Sequence, residues 1–213
     1  MSNSDEYYRT RFSVDRRRKV LWEALYRYYF ANLIRPEYCV LELGAGYAYF
    51  INSVVAKRRL AVDLWPGLEA HVHPGVEAHV GDIEDLSFLE DHSIDFALAS
   101  NILEHLEKEK LAKALSALRQ KLKPGGTLNV ISPNYRFCYD EYFDDYTHVT
   151  IFSDRSLADF LEAHGFKVIQ SVPRFLPLTM KSRWPVMGPL IWLYLVSPIK
   201  PFAKQMLMRA VAD

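Results

Sequence analysis

Residues able to do chemistry fall in five places along the 213-residue chain. The first is Glu42-Leu43-Gly44-Ala45-Gly46, an acid two residues ahead of a pair of closely spaced glycines. Glycines at such a turn let the backbone approach a ligand and take angles other residues avoid. The acid beside them can serve a cationic group. Asp63, with Leu64 after it, lies 21 residues beyond Glu42. An acid at the end of a second strand can accept both hydroxyls of a ribose. The third place is Gly81-Asp82-Ile83 and the fourth runs from Asn101 to Glu104-His105. The fifth groups Asp144 and Asp145 with His148. Histidine suits proton transfer near neutral pH, and a carboxylate beside it orients the ring and stabilises its protonated form. His148 is therefore the candidate general base, with Asp145 or Asp144 as its support.

Apolar patterning supplies the elements that position these groups. Residues 40–43 form a short apolar run, read as a buried strand, and residues 49–56 after the turn are compatible with a helix. Residues 59–63, 76–80 and 93–101 read as three more strands, the last apolar enough to be buried on both faces. Residues 108–122 form an amphipathic helix with Leu111, Leu115, Leu118 and Leu122 on one face. Lys123-Pro124-Gly125-Gly126 stops it, and residues 127–132 form a fifth strand. A helix capped by Ser153 or Asp154 ends at His164-Gly165, and residues 166–172 form a sixth strand. Ahead of all this, residues 15–34 read as a long helix with Asp15 as its cap. The basic run Arg16 to Lys19 is read as its solvated face. Tyr7, Tyr8 and Phe12 precede it, as core residues or as a lid. Strand and helix alternate, which calls for a parallel sheet covered on both sides.

Two ligand classes use a glycine turn of this kind. A dinucleotide site wants Gly-x-Gly-x-x-Gly, and here the last glycine position is Tyr49, which obstructs close approach of a pyrophosphate. S-adenosylmethionine has no phosphate; it offers an ammonium, a sulfonium, a carboxylate and an adenosine. Glu42-x-Gly44-x-Gly46 suits it better. At this point the chain resembles the class I S-adenosylmethionine-dependent methyltransferases, whose first motif runs Glu/Asp-x-Gly-x-Gly-x-Gly; Ala48 stands at the third glycine. Asn101 to Leu106 and Leu122-Lys123-Pro124-Gly125-Gly126 followed by an apolar strand are similar to later motifs of that family, in the right order, over residues 40–172.

The resemblance implies a Rossmann-like α/β/α sandwich with a mostly parallel seven-stranded sheet and an antiparallel last strand, for which residues 205–211 are the candidate. It implies S-adenosylmethionine as cofactor and S-adenosylhomocysteine as product. The donor contacts expected are Glu42, Gly44, Ala45 and Gly46, then Asp63 and Leu64, then Asp82 and Ile83 beside the adenine, and Asn101. His105 is expected to pack under the cofactor site, with a role as base the alternative. Residues 1–35 form an arm and helix, and residues 36–213 the methyltransferase domain.

Composition narrows the partners. Basic and acidic residues balance at 26 each, which argues against nucleic acid. Cys39 and Cys138 have no metal-ligand spacing and are read as reduced, partly buried thiols, with a disulfide between them as the alternative; no metal centre is expected. The polar start shows no signal peptide, so the expected location is cytoplasmic.

Residues 133–152 form a long aromatic and acidic loop leaving the carboxyl edge of the sheet, the expected acceptor side. Residues 173–204 form an insertion whose apolar stretch, 184–199, is too short and proline-broken to span a membrane. It is expected to be a cap on the acceptor loop or a dimer contact; the alternative is peripheral contact with the inner membrane face or a lipid-linked substrate. The stretch from Asp145 to this tail resembles a bacterial subgroup associated with glycan and lipid-linked sugar pathways. The expected acceptor is a small molecule, a sugar or other hydroxyl compound. The rivals are a non-catalytic S-adenosylmethionine-binding subunit acting with a partner, and a nicotinamide-dependent oxidoreductase.

Overall fold

The computed structural model describes residues 14–178 and 186–212. The aromatic arm (Tyr7, Tyr8, Phe12) and the start of the apolar stretch (Trp184, Pro185) lie outside them.

Seven strands form one sheet in the order β3-β2-β1-β4-β5-β7-β6. They are β1 (Cys39–Leu43), β2 (Arg58–Asp63), β3 (Val76–Val80), β4 (Ile94–Ser100), β5 (Leu122–Pro133), β6 (Phe166–Pro177) and β7 (Ala203–Ala212). The first five are parallel, and β7 runs antiparallel to both β5 and β6. All five residues of β1 are buried, as a central strand covered on both faces requires.

Helices cover both faces. On one, α3 (Lys108–Lys121) and α5 (Asp154–Ala163) insert Leu111, Leu115, Leu118, Leu157 and Leu161. On the other, α1 (Arg16–Tyr28) and α2 (Tyr49–Ser53) pack around Leu25, Phe50 and Ile51. The one-turn helix α4 (Tyr135–Cys138) opens the segment after β5, and α6 (Gly188–Val196) lies against α1.

Several boundaries differ from the sequence expectation, each for a local reason. The first helix stops at Tyr28 instead of running to 34. Tyr29 leaves helical geometry, and a 3-10 turn (Phe30–Asn32) carries Phe30 into full burial against Phe50 and Phe96. The helix after the glycine turn ends at Ser53, not 56. β5 begins at Leu122, which pairs with Ile94, so Lys123 to Gly126 form an irregularity inside the strand and not a separate stop. Gly126 is needed there, because a Cβ would meet the Ile94 carbonyl at 2.8 Å. β6 continues to Pro177 and β7 starts at Ala203, pairing with each other, so the insertion shrinks to 178–202. Ser153 is the cap of α5, in a reciprocal capping box with Ser156. Cys39 and Cys138 are buried and unbonded. Among the described residues no helix is long and apolar enough to cross a membrane.

Candidate active site

The sheet order places the carboxyl ends of β3, β2, β1 and β4 side by side, and the expected donor residues lie along that edge. The turn after β1 is tied down by amides of Gly44 and Ala45, which donate to the Val62 carbonyl at 2.8 and 3.1 Å. Gly44 has φ +69°, and a Cβ on it would stand 2.3 Å from Cδ1 of Ile102. Glycine is therefore required twice, by angle and by close approach. Gly46 (φ 52°) and Ala48 (φ 55°) are also left-handed. Ala48, where the resembling motif has glycine, keeps a glycine-like conformation at full burial.

Asp63 closes the turn from β2. Its Oδ2 accepts from the Gly46 amide and its Oδ1 from the Trp65 amide, each at 2.8 Å. These two bonds fix the orientation of the carboxylate. Leu64 beside it is exposed. Asp82 accepts from the Glu84 amide and pairs with Lys110 at 3.4 Å, while Ile83 is buried in the core with Leu43, Ala99 and Leu103. Asn101, with φ 51°, ends the edge and accepts from Gln205 Nε2 at 3.0 Å. Gln205 is buried on β7, and nothing in the sequence marked it.

Glu42, expected beside a ligand's cationic end, also has a structural bond. It is 4% exposed, and its Oε2 accepts from the Ile51 amide at 3.0 Å, bracing α2. Burial, assisted by the charge of Asp63, pushes its carboxyl up to about 8 against the pull of that amide.

The second group gathers where the 3-10 turn Leu103–His105 meets the segment after α4. Val149 and Thr150 amides donate to the Glu104 carbonyl at 2.8 and 3.1 Å, and Thr150 Oγ1 donates to the Leu106 carbonyl at 2.7 Å. These bonds bring His148 to His105, with ring centroids 4.8 Å apart. The His148 ring is fixed by Nδ1–H donating to the Tyr142 carbonyl at 2.6 Å, where a carboxylate was expected in that role. That bond sets the tautomer and leaves the basic lone pair on Nε2. Asp145 acts one step away. It accepts from Thr147 Oγ1 at 2.6 Å, and that hydroxyl pairs with His105 Nδ1 at 2.8 Å. Burial opposes ionisation of Asp145, but the Thr147 bonds and the two imidazoles outweigh it and hold the carboxyl below its ordinary range. Asp144 is exposed at the end of the 3-10 turn Tyr142–Asp144. Burial and the neighbouring His148 lower His105 to about 4, so it is neutral near pH 7.

Glu104 was given no role from the sequence. It is 1% exposed; Oε2 accepts from Ser132 Oγ at 3.1 Å, and Oε1 has no hydrogen-bond partner. Burial pushes its carboxyl up to about 8. The Glu-His doublet after β4 was the available signal.

Residues 14–171 match a family model described as a methyltransferase domain. The chain belongs to that family. It is a methyltransferase, with S-adenosylmethionine as methyl donor and S-adenosylhomocysteine as product. Solved structures of the same fold include a chain of the complex between the Haloferax volcanii Trm112 methyltransferase activator and a methyltransferase, at 16% identity and TM-score 0.71, covering 100% of this chain and 99% of that one. An S-adenosylmethionine-dependent methyltransferase from Archaeoglobus fulgidus is 20% identical, with TM-score 0.68 and 99% of each chain covered. One from Thermotoga maritima is also 20% identical, with TM-score 0.66 and 99% and 94% covered. A comparison with curated proteins finds no match. Two acids, Asp63 and Asp82, stand on the donor edge of this methyltransferase, and carboxylates suit the hydroxyls and amine of an adenosine better than a pyrophosphate.

Proposed function

We propose that the methyltransferase acts on an oxygen of a small hydroxyl-bearing acceptor, a sugar or glycan-related molecule, with His148 as general base. The cofactor supplies an electrophilic methyl group on a sulfonium. Asp63, Gly44, Ala45, Gly46, Leu64, Asp82, Ile83 and Asn101 form the edge that holds it, and Glu42 braces that edge through Ile51. Methyl transfer is an in-line displacement, so the chain must place the acceptor oxygen behind the methyl and keep water out.

The observation that carries this reading is the His148 ring, held by Tyr142 with its lone pair on Nε2. It lies in the loop that follows β5, on the carboxyl side of the sheet, where open α/β folds bind ligands. Nε2 takes the hydroxyl proton as the oxygen attacks. Asp145, through Thr147, fixes His105 beside it. Exposed Tyr139, Phe143 and Tyr146 on the same loop offer flat apolar faces of the kind that stack on sugar rings.

The test is calorimetric titration with S-adenosylhomocysteine and with NAD, followed by a labelled-methyl screen of nucleotide sugars and glycans. Donor binding with labelled methyl on a hydroxyl, lost in His148→Ala while donor binding persists, is the expected result. Transfer to nitrogen or carbon, or unchanged turnover in His148→Ala, defeats it.

A second reading has one observation in its favour. Leu190, Trp192, Leu193 and Val196 of α6, with Ile199 and Phe202 beyond it, are all at least 45% exposed. Such a patch suits a protein partner or a lipid surface. The Haloferax volcanii complex contains an activator. On this reading the chain works with a partner docked at α6, and size-exclusion chromatography of wild type against Leu193→Asp separates the cases.

A further inference from the structure

We propose that Glu104, His105 and His148 form a binding site for one divalent transition-metal ion, which holds the acceptor oxygen. One potential ligand atom from each of the three side chains lies within 4.8 Å of the other two. Two imidazoles and a carboxylate are the donor set of zinc, iron, cobalt and manganese sites, and they disfavour magnesium, which prefers oxygen alone.

Three features mark the cluster as built. The first is the unsatisfied atom. Glu104 is buried, its Oε2 accepts from Ser132, and its Oε1 makes no hydrogen bond. A buried carboxylate oxygen without a partner calls for an explanation, and a cation supplies one. The second is the orientation of the rings. His148 Nδ1–H is committed to the Tyr142 carbonyl. Thr147 Oγ1 donates to Asp145 and so accepts from His105 Nδ1–H. Both imidazoles therefore carry their lone pair on Nε2. Ring-to-carbonyl and ring-to-hydroxyl-to-carboxylate bonds of this sort are how metal ligands are oriented and made more basic. The third is rigidity. The Val149 and Thr150 amides bind the Glu104 carbonyl, locking the loop that bears His148 to the turn that bears the other two ligands.

Ligands at roughly 2.1 Å from one ion stand about 3.0 to 4.2 Å apart. At a tetrahedral ion such ligands stand about 3.4 Å apart, so atoms that lie within 4.8 Å of one another close by up to about 1.4 Å when the ion binds. Three protein ligands leave open positions, as in catalytic metal sites generally.

The role assigned to the ion rests on the methyl-transfer reading. The acceptor hydroxyl binds an open position, where the cation lowers its pKa and its proton leaves to solvent. The oxygen attacks the methyl carbon, the O–C bond forms, and the C–S bond breaks with its electron pair staying on sulfur. His148 then serves as ligand, and the ion does the work otherwise given to a base. Acceptors able to chelate, such as vicinal diols, are the favoured class.

The test begins with full-length protein stripped by chelator and titrated with Zn²⁺, Co²⁺ and Mg²⁺. Expected are one saturable site for Zn²⁺ and Co²⁺, visible Co²⁺ ligand-field bands, and much weaker Mg²⁺ binding. His148→Ala and Glu104→Gln should each lower Zn²⁺ affinity at least tenfold. Folding of each variant is checked by circular dichroism and by S-adenosylhomocysteine binding. No saturable site in the wild type, or equal affinity in both folded variants, overturns the proposal. Failure of S-adenosylhomocysteine to bind the wild type would sink the methyl-transfer reading instead, and the metal titration would still decide the site.

Discussion

Replacing Glu104 by glutamine tests the buried carboxyl directly, because it removes a titration while keeping size and shape. Burial raises this group from an ordinary 4.5 to about 8. The folded protein therefore holds the proton more tightly than the unfolded chain. Between those two values the folded state binds the extra proton, and stability falls as pH rises through the window. A gap of about 3.5 in pKa corresponds to about 5 kcal/mol across the whole window, and to about 2.5 kcal/mol between pH 5 and 7. The amide variant can still accept from Ser132, but its new N–H₂ adds a cost of about 1–3 kcal/mol that does not depend on pH. The informative quantity is thus the change in the difference between the proteins. In metal-free buffer the wild type should lose about 2 kcal/mol relative to Glu104→Gln from pH 5 to pH 7, read as about 4–8 °C in the Tm difference for a chain of this size. Glu42 is also raised to about 8, but it is present in both proteins and cancels. Parallel melting temperatures at the two pH values would refute the reasoning. Zn²⁺ at pH 7 should raise the wild-type Tm and leave the variant nearly unmoved, since a metal needs the ionised ligand.

Asp63→Asn keeps one amide acceptor of the Gly46 and Trp65 pair and should lower S-adenosylhomocysteine affinity at least tenfold by calorimetry, with a stability loss of about 2 kcal/mol. Gly44→Ala forces a Cβ into a left-handed residue against Ile102 and should cost about 2–3 kcal/mol in urea unfolding; adding Ile102→Ala should recover part of it, and strict additivity would count against the contact. Ser153→Ala removes one half of the α5 capping box, the bond that Ser153 Oγ accepts from the Ser156 amide, and should cost about 1 kcal/mol, or about 2–4 °C in Tm. Leu193→Asp, on a residue 56% exposed, should leave the chain's own stability within about 0.5 kcal/mol while reducing any self-association or vesicle binding; a large loss of Tm would show that α6 is core.

The edge that carries the expected donor residues was legible because its strands are marked locally. Gly44, Asp63, Asp82 and Asn101 each stand at or just past the carboxyl end of a strand, and parallel pairing puts those ends on one edge. Strand period and a glycine turn sufficed to place them. The boundaries that went astray are those where a tertiary demand outweighs the local pattern. Phe30 breaks the helical period because the space beside Phe50 and Phe96 has to be filled. Leu122 pairs with Ile94 across what reads as a stop signal, and Gly126 is there to let the Ile94 carbonyl pass. Gln205 reaches Asn101 only because β7 inserts between β5 and β6, a contact spanning 104 residues.

The acceptor side was hidden for a different reason. Glu104 and His105 are adjacent, but His148 is brought to them by backbone bonds from Val149 and Thr150, and no periodicity announces that closure. The sequence also left the backbone partner of the ring unseen. Asp144 and Asp145 flank His148 in the chain, yet the Tyr142 carbonyl holds its ring, Asp145 serves His105 through Thr147, and Asp144 is exposed. What the fold places next to the histidine pair is a carboxyl with one oxygen unsatisfied. A buried acid of that kind lowers the stability of the folded chain at neutral pH, as does Glu42 on the neighbouring strand. Glu42 has a structural return in the Ile51 amide that starts α2. Glu104 has the Ser132 hydroxyl on one oxygen, and the other, which has no hydrogen-bond partner, becomes useful when a cation sits between it and the two imidazoles.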